Sequence, residues 1–257
     1  MDQQSLQQRF VRSLQDPPLD LLDRLEHEGT PTIWSMGTGT GRLANQLVQQ
    51  FSPFETLFLC DPTMSDEQLE EVKQTAFDGE LEIFGQDCLQ RLGNFPQDTF
   101  EICLACWMVG TVPVSDTISM MYRVLGSSGQ IGLICMKEGS PEQPLRLLKQ
   151  AVRDATGRSV DFRSRGQLAN VDTFRSNLTS LGFGDERVWS DSVSVSFNNP
   201  DELFAVLLQS TGTQWKEQNQ SDQKAIRKQF VLNVEQEYGP EPTVTYQYLG
   251  ATGKSKA

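Results

Sequence analysis

Thr32-Ile-Trp-Ser-Met-Gly-Thr-Gly-Thr-Gly-Arg-Leu-Ala-Asn-Gln-Leu47 is the stretch that decides the fold. A short apolar strand runs into a glycine-rich turn and then a helix. Gly37, Gly39 and Gly41 alternate with small residues, so the backbone can turn sharply and approach a ligand closely. From Arg42 the pattern becomes helical, with Leu43, Leu47, Val48 and Phe51 on one face. Such a helix aims its first amide groups and the positive end of its dipole at whatever the loop holds. Asp61 follows the next apolar run, Thr56-Leu-Phe-Leu-Cys60. An acid in that place can accept hydrogen bonds from the ribose hydroxyls of a nucleotide-like cofactor.

Spacing bears on which cofactor. A nicotinamide or flavin fingerprint wants Gly-x-Gly-x-x-Gly, and counted from Gly37 its last position falls on Arg42. The order Gly-x-Gly-x-Gly instead resembles motif I of class I S-adenosylmethionine-dependent methyltransferases. The resemblance extends along the chain through Asp61, Gly85-Gln-Asp-Cys88, Phe100-Glu-Ile-Cys-Leu-Ala-Cys-Trp107 and Tyr122-Arg-Val-Leu-Gly-Ser-Ser-Gly-Gln-Ile-Gly-Leu-Ile134. It implies a cofactor site built from Ser35, Met36, Gly37, Thr38, Gly39 and Gly41, with Asp61 on the ribose and Pro62 beside it. It further implies Asp87 on the adenine amino group, Cys88 beside the ring, and Cys106 with Trp107 toward the methionine end. One position departs from the family. Ser35 stands where an acid is usual, two residues before the first glycine.

Composition narrows the function. The 257 residues suit one large α/β domain. No apolar run approaches the ~20 residues of a membrane span, and Met-Asp-Gln-Gln-Ser shows no basic region followed by an apolar core. The five cysteines (60, 88, 103, 106, 135) lie in or beside core strands without metal-ligand spacing, so they read as reduced thiols of a cytoplasmic protein and no metal is expected. A formal charge of −12 disfavours nucleic acid as partner. The basic residues nonetheless cluster, at Arg146, Lys149, Arg153, Arg158, Arg163 and Arg165 and again at Lys224, Arg227 and Lys228. These read as solvated helix faces or as a dock for an acidic partner.

In chain order, an amphipathic helix over 2–15 carries Leu6, Phe10, Val11 and Leu14 on one side. A second helix, capped by Asp16 with proline next, runs on through Leu25 to Gly29. Strands are expected at 32–36, 56–60, 81–84, 100–106 and 130–136, with helices at 41–51, 65–77 and 115–125 between them. A helix over 141–157 and another ending at Gly182 lead to a sixth strand through Trp189. Helices within 199–212 and 221–238 precede a last strand from Thr243 to Ala251. The fold class expected is α/β, a Rossmann-like, seven-stranded, mostly parallel sheet with helices on both faces. The chain reads as one domain, 1–257, with N-terminal helices (1–29), a cofactor-binding core (30–138), a helical insertion (198–240) before the last strand, and a disordered tail (253–257).

The last third carries a narrower resemblance. Ser196-Phe-Asn-Asn-Pro-Asp-Glu-Leu-Phe-Ala-Val-Leu-Leu-Gln-Ser-Thr-Gly-Thr213 and Val244-Thr-Tyr-Gln-Tyr-Leu-Gly-Ala251 look like segments of the malonyl-acyl-carrier-protein O-methyltransferases of biotin synthesis. That resemblance implies methylation of a small-molecule or carrier-protein-bound carboxylate, for which Arg163 or Arg165 is a candidate clamp. His27 is the sole histidine, and a carboxylate acceptor needs no general base. The alternative of another class is a methyltransferase-like protein with weakened catalysis, acting as a binding or regulatory partner, as Ser35 would allow.

Overall fold

The computed structural model describes residues 3–37, 41–61, 66–75, 77–85, 87–109, 114–160, 170–211 and 219–256. Thr38, Gly39, Pro62, Arg163 and Arg165 of the expected site lie outside them. Seven strands form one sheet in the order β3-β2-β1-β4-β5-β7-β6. They are β1 (Thr32–Met36), β2 (Thr56–Cys60), β3 (Glu80–Phe84), β4 (Phe100–Val109), β5 (Leu125–Met136), β6 (Phe183–Ser196) and β7 (Thr243–Ser255). Every pairing from β3 to β5 is parallel, whereas β7 runs antiparallel to both β5 and β6. A mostly parallel, seven-stranded α/β sheet is thus what the chain forms.

Parallel strands covered on both faces read as continuous apolar runs, and β2 is buried along its whole length. On one face Trp34, Phe58, Cys103 and Leu133 pack with α5 (Cys88–Asn94), α6 (Val114–Val124) and α8 (Val171–Leu181). On the other, Ile33, Leu57, Leu59 and Leu104 pack with α2 (Asp16–Leu22) and α3 (Arg42–Phe51). A third cluster joins α1 (Gln3–Ser13), α7 (Glu142–Thr156), α9 (Pro200–Thr211) and α10 (Gln220–Tyr238) to Val195, Val244 and Tyr246. The remaining helix, α4, spans Asp66–Gln74. No helix of the described residues is long and apolar enough to cross a membrane.

Several boundaries move. The tail expected from 253 is not a tail, because Gly253 pairs with Ile131, Lys254 with Gln130 and Ser255 with Phe183, so β7 ends two residues short of the C-terminus. Strand β6 outruns its expected end at Trp189, since β7 pairs with it to Ser196. The polar residues that read as a strand end are the outward side of an edge strand. Helix α2 includes Asp16 rather than being capped by it, and stops at Leu22. Leu25 is still buried, in a turn closed by its amide on the Leu22 carbonyl. The seven-residue α5 has no clear counterpart in the sequence pattern, since Gly93 and three polar residues leave it little helical signal.

Beneath the centre of the sheet Trp34 meets Phe58, Phe84, Phe95 and Phe100, with ring centroids 5.6–6.2 Å away. These rings tie β1 to β2, β3, β4 and the end of α5. The Trp34 indole N–H is buried without a hydrogen-bond partner among the described residues, which costs about 1–3 kcal/mol. Urea unfolding is therefore expected to show Trp34→Ala losing about 3–5 kcal/mol. Trp34→Phe, which keeps a ring and removes the orphan donor, should lose under about 1.5 kcal/mol. Equal losses would show that the rings do not carry this stability.

Candidate functional site

The carboxyl ends of β1, β2 and β3 lie side by side, with Met36 in register with Cys60 and Cys60 with Phe84. In open α/β sheets ligands bind at this edge, where the strand order reverses. Gly37 leaves β1 at φ +78° and its amide donates to the Cys60 carbonyl at 3.1 Å. Gly41, at φ +84°, precedes α3. A Cβ there would meet only ordinary contacts, the nearest 3.5 Å away, so the left-handed backbone is what demands glycine. Among the described residues no side chain caps α3, and its first turn carries no acid, so the dipole end can take a ligand. Met36 is buried under the turn, so only its backbone reaches the site.

Asp61 follows β2 with 4% exposure, its amide donating to the Phe84 carbonyl at 3.1 Å. Asp87 is exposed and sits in the left-handed region at φ 59°, directly before α5, with its carboxylate capping nothing. Asp tolerates this conformation better than most residues, and such backbone gathers at functional sites. Ser35 is fully buried and its Oγ has no partner among the described residues. A polar group so placed is costly unless something completes it. Two glycines with positive φ, an uncapped helix start, two acids on adjacent strand ends and a buried orphan hydroxyl fit a nucleoside with a polar tail.

The cysteines need correction. Cys60 and Cys88, expected as free thiols, form a disulfide with Cα atoms 5.5 Å apart. Cys88 is thus engaged by Cys60, and the thiol content no longer argues for a reducing compartment. Cys103, Cys106 and Cys135 are free and buried. The Cys106 thiol is pushed far up by burial and then by the charge of Asp61, which makes it a packing group beside the site rather than a nucleophile. Among the described residues no group of three His, Cys, Asp or Glu could hold a metal ion.

Trp107 is tied to the N-terminal segment. Its φ of 59° falls at a break in the β4–β5 register between Cys106 and Val109. Its Nε1–H donates to the Leu14 carbonyl at 2.9 Å, and its ring stands 6.0 Å from that of Tyr248. The indole therefore fastens the end of α1 to the carboxyl ends of the strands. A second tie is the ion pair between Arg9 and the buried Glu202 of α9. Sequence reasoning also missed a cavity of about 590 Å³ at the end of β5, bounded by Glu138, Ser140, Glu142, Tyr238, Thr245 and Gln247. Its walls come from two stretches far apart in the chain, 138–144 and 238–247, so no local pattern announces it.

Residues 34–133 match the family model described as a methyltransferase domain. No curated protein sequence matches the chain. The fold is shared with the YcgJ protein of Bacillus subtilis (12% identity, TM-score 0.57, 96% of this chain and 99% of that one). It is shared too with a Bacillus halodurans C-125 protein provisionally named a methyltransferase (13%, 0.54, 93% and 99%). A third is phosphoethanolamine N-methyltransferase 2 of Haemonchus contortus, solved with phosphomonomethylethanolamine and S-adenosylhomocysteine (13%, 0.53, 94% and 53%). Glycine spacing alone does not settle the cofactor, since Gly39-Thr-Gly41-Arg-Leu-Ala44 also satisfies the looser Gly-x-Gly-x-x-Ala form. The antiparallel β7 between β5 and β6 departs from the parallel 3-2-1-4-5-6 order of dinucleotide-binding folds.

The Tyr248 phenol is pushed up to about 12 by burial, with Asp191 and Asp20 adding and Arg24 opposing. A phenol whose folded value exceeds its unfolded value of about 10 stabilises the fold fully below that pH. The contribution is lost as pH rises from about 10 to 12. Tyr248→Phe should flatten the fall of stability across that window, measured by urea unfolding; an unaltered slope would show that Tyr248 does not carry it. Taken together, residues 34–133 are similar to a methyltransferase domain, set in a fold that the chain shares with the solved structures above.

Proposed function

We propose that the chain methylates a carboxylate oxygen on a small acceptor, either free or held as a malonyl thioester on an acidic carrier protein. The observation that carries this reading is where the proton-transfer groups lie. His27 follows Glu26, whose backbone pairs with Gln130 near the start of β5, at the opposite end of the sheet from Gly37 and Asp61. At the carboxyl ends, Cys106, Tyr246 and Tyr248 are all held protonated by burial. An acceptor that arrives already ionised suits such a site, and a carboxylate is anionic at neutral pH.

S-adenosylmethionine supplies an electrophilic methyl group on a sulfonium. The protein's part is alignment. In this reading Gly37, Gly39 and Gly41 let the backbone approach the cofactor's amino-acid end, Asp61 receives the ribose hydroxyls and Asp87 the adenine amino group. Ser35 gives the turn or the cofactor a hydroxyl in place of a charge. Trp107 holds α1 over the strand ends, where it limits water. The exposed basic residues Arg146, Lys149 and Arg153 of α7 and Lys224, Arg227 and Lys228 of α10 offer a face to an acidic carrier. The two helices lie antiparallel, with Gln143 bonded to Glu237. Arg227 already pairs with Asp201.

A second reading, methylation of an amine, is favoured by Glu138 and Glu142 at the cavity beside β5, which suit a cation. One product assay separates the two. Methyl label transferred to malonyl thioester carrier should be released as volatile methanol in mild alkali; label that resists alkali would overturn the carboxylate reading in favour of the amine. With a carboxylate acceptor kcat should vary little from about pH 6 to 9, since no group at the site needs to lose a proton there.

Cofactor binding is checked by calorimetry with S-adenosylhomocysteine. Asp61→Ala removes an ionised acceptor of hydrogen bonds worth about 1.5–3 kcal/mol each, so the Kd should rise by at least about tenfold. If the native chain does not bind, the protein acts as a partner and not as an enzyme.

A further inference from the structure

The two acids assigned to the cofactor each adjoin a cysteine, and the two cysteines are joined. Cys60 ends β2 and immediately precedes Asp61; Cys88 begins α5 and immediately follows Asp87. Both are buried, and 28 positions separate them in sequence. We propose that the Cys60–Cys88 disulfide is a positioning element of the cofactor site, which sets Asp87 against Asp61 and makes cofactor affinity depend on thiol state. The inference rests on the reading of Asp61 and Asp87 given above.

Helix α5 is held differently at its two ends. Its far end is clamped by Arg123, whose guanidinium donates to the carbonyls of Phe95, Leu92 and Gly93 at 2.9–3.2 Å. Its near end carries Asp87 and has no side-chain cap. The chain reaching it leaves the sheet after Phe84 through Gly85, around whose Cβ position there is open space. Asp61 on the other side is fixed by its amide on Phe84 and by the parallel pairing of β2. A seven-residue helix has marginal stability of its own, so the Sγ–Sγ bond is the covalent link that holds its first turn to β2. Cys103, Cys106 and Cys135 are equally buried yet unbonded, so burial alone does not produce the pairing.

The bond forms by exchange with a low-molecular-weight disulfide. One cysteine thiolate attacks a sulfur of that disulfide and expels its first thiolate, giving a mixed disulfide. The second cysteine thiolate attacks the protein sulfur of the mixed disulfide and expels the second. The cysteine pair loses two electrons, the small disulfide gains them, and the two cysteine protons end on the two released thiols. Because the chain spanning 60–88 must be open to reagent, the exchange belongs to the unfolded or locally opened protein.

The test uses the full chain and S-adenosylhomocysteine. Alkylation of the denatured, unreduced protein should add three groups, and five after reduction. By calorimetry the oxidised chain should bind at least about fivefold more tightly than the dithiothreitol-reduced chain or a Cys60→Ala/Cys88→Ala variant, with circular dichroism showing each folded. Cys135→Ser should leave that ratio unchanged. Asp87→Asn should weaken the oxidised chain and add little in the reduced one, a coupling that a purely structural crosslink would not produce. Binding and reduction are also linked reciprocally. Saturating ligand should therefore raise, by the same factor, the dithiol-to-disulfide ratio needed to half-reduce the native chain, a measurement that survives if the reduced forms unfold. Five alkylated thiols without reduction, or equal affinity in both states, would overturn the proposal. No binding in either state would overturn the cofactor reading, and this inference with it.

Discussion

The structure depends on burying β1 completely, between β2 and β4 and between two layers of helices. A strand without a solvent face must have every backbone group paired along its length and apolar residues toward both layers. Thr32 to Met36 meets that demand with Trp34 and Met36 toward one layer and Ile33 toward the other. The Ser35 hydroxyl and the Trp34 indole N–H are the side-chain polar groups that the strand buries without a partner among the described residues. Everything at the carboxyl edge follows from where β1 stops. The chain must turn up out of the sheet there, and glycine at positive φ makes the turn possible.

Around that strand the site is a convergence of ends. Gly37, Asp61 and Asp87 are brought together because parallel strands point the same way, so each crossover returns the chain to the same edge. Charge at this edge is arranged by depth. Asp61 is buried beside the Cys106 thiol and raises its proton affinity, while Asp87 stays exposed directly before a short helix. The same burial that builds the core holds the nearby thiols and phenols protonated, which bears on the chemistry such an edge can perform.

The N-terminal helices and those between β6 and β7 close the molecule over one side of the sheet. They are attached by a few polar ties across long sequence distances: Trp107 to Leu14, Arg9 to Glu202, and Gln143 to Glu237. The first joins β4 to the end of α1, and the other two join helix to helix, α1 to α9 and α7 to α10. The stack at Trp189 works in the same manner. Arg24 lies 4.3 Å over one side of the indole, while a Cβ on Gly250 would fall 2.1 Å from it. Only a residue without a side chain fits that place.

From the residues alone the class of fold, the order of most elements and the carboxyl edge of the parallel strands can be read. Those features rest on local pattern: apolar runs of five for buried strands, a helical stripe after Gly41, and glycines where the backbone must turn. Asp61 and Asp87 were legible because each follows a strand end, and strand ends can be read from the residues beside them. Tertiary structure alone decided the rest. It joined Cys60 to Cys88, turned Trp107 toward Leu14, carried β7 on to Ser255 and assembled the cavity beside β5. The reason is physical: these contacts lie between residues tens to hundreds of positions apart, and their partners are set by which strand lies next to which. A cysteine, a tryptophan or a final glycine carries no local mark of the neighbour that the topology will give it.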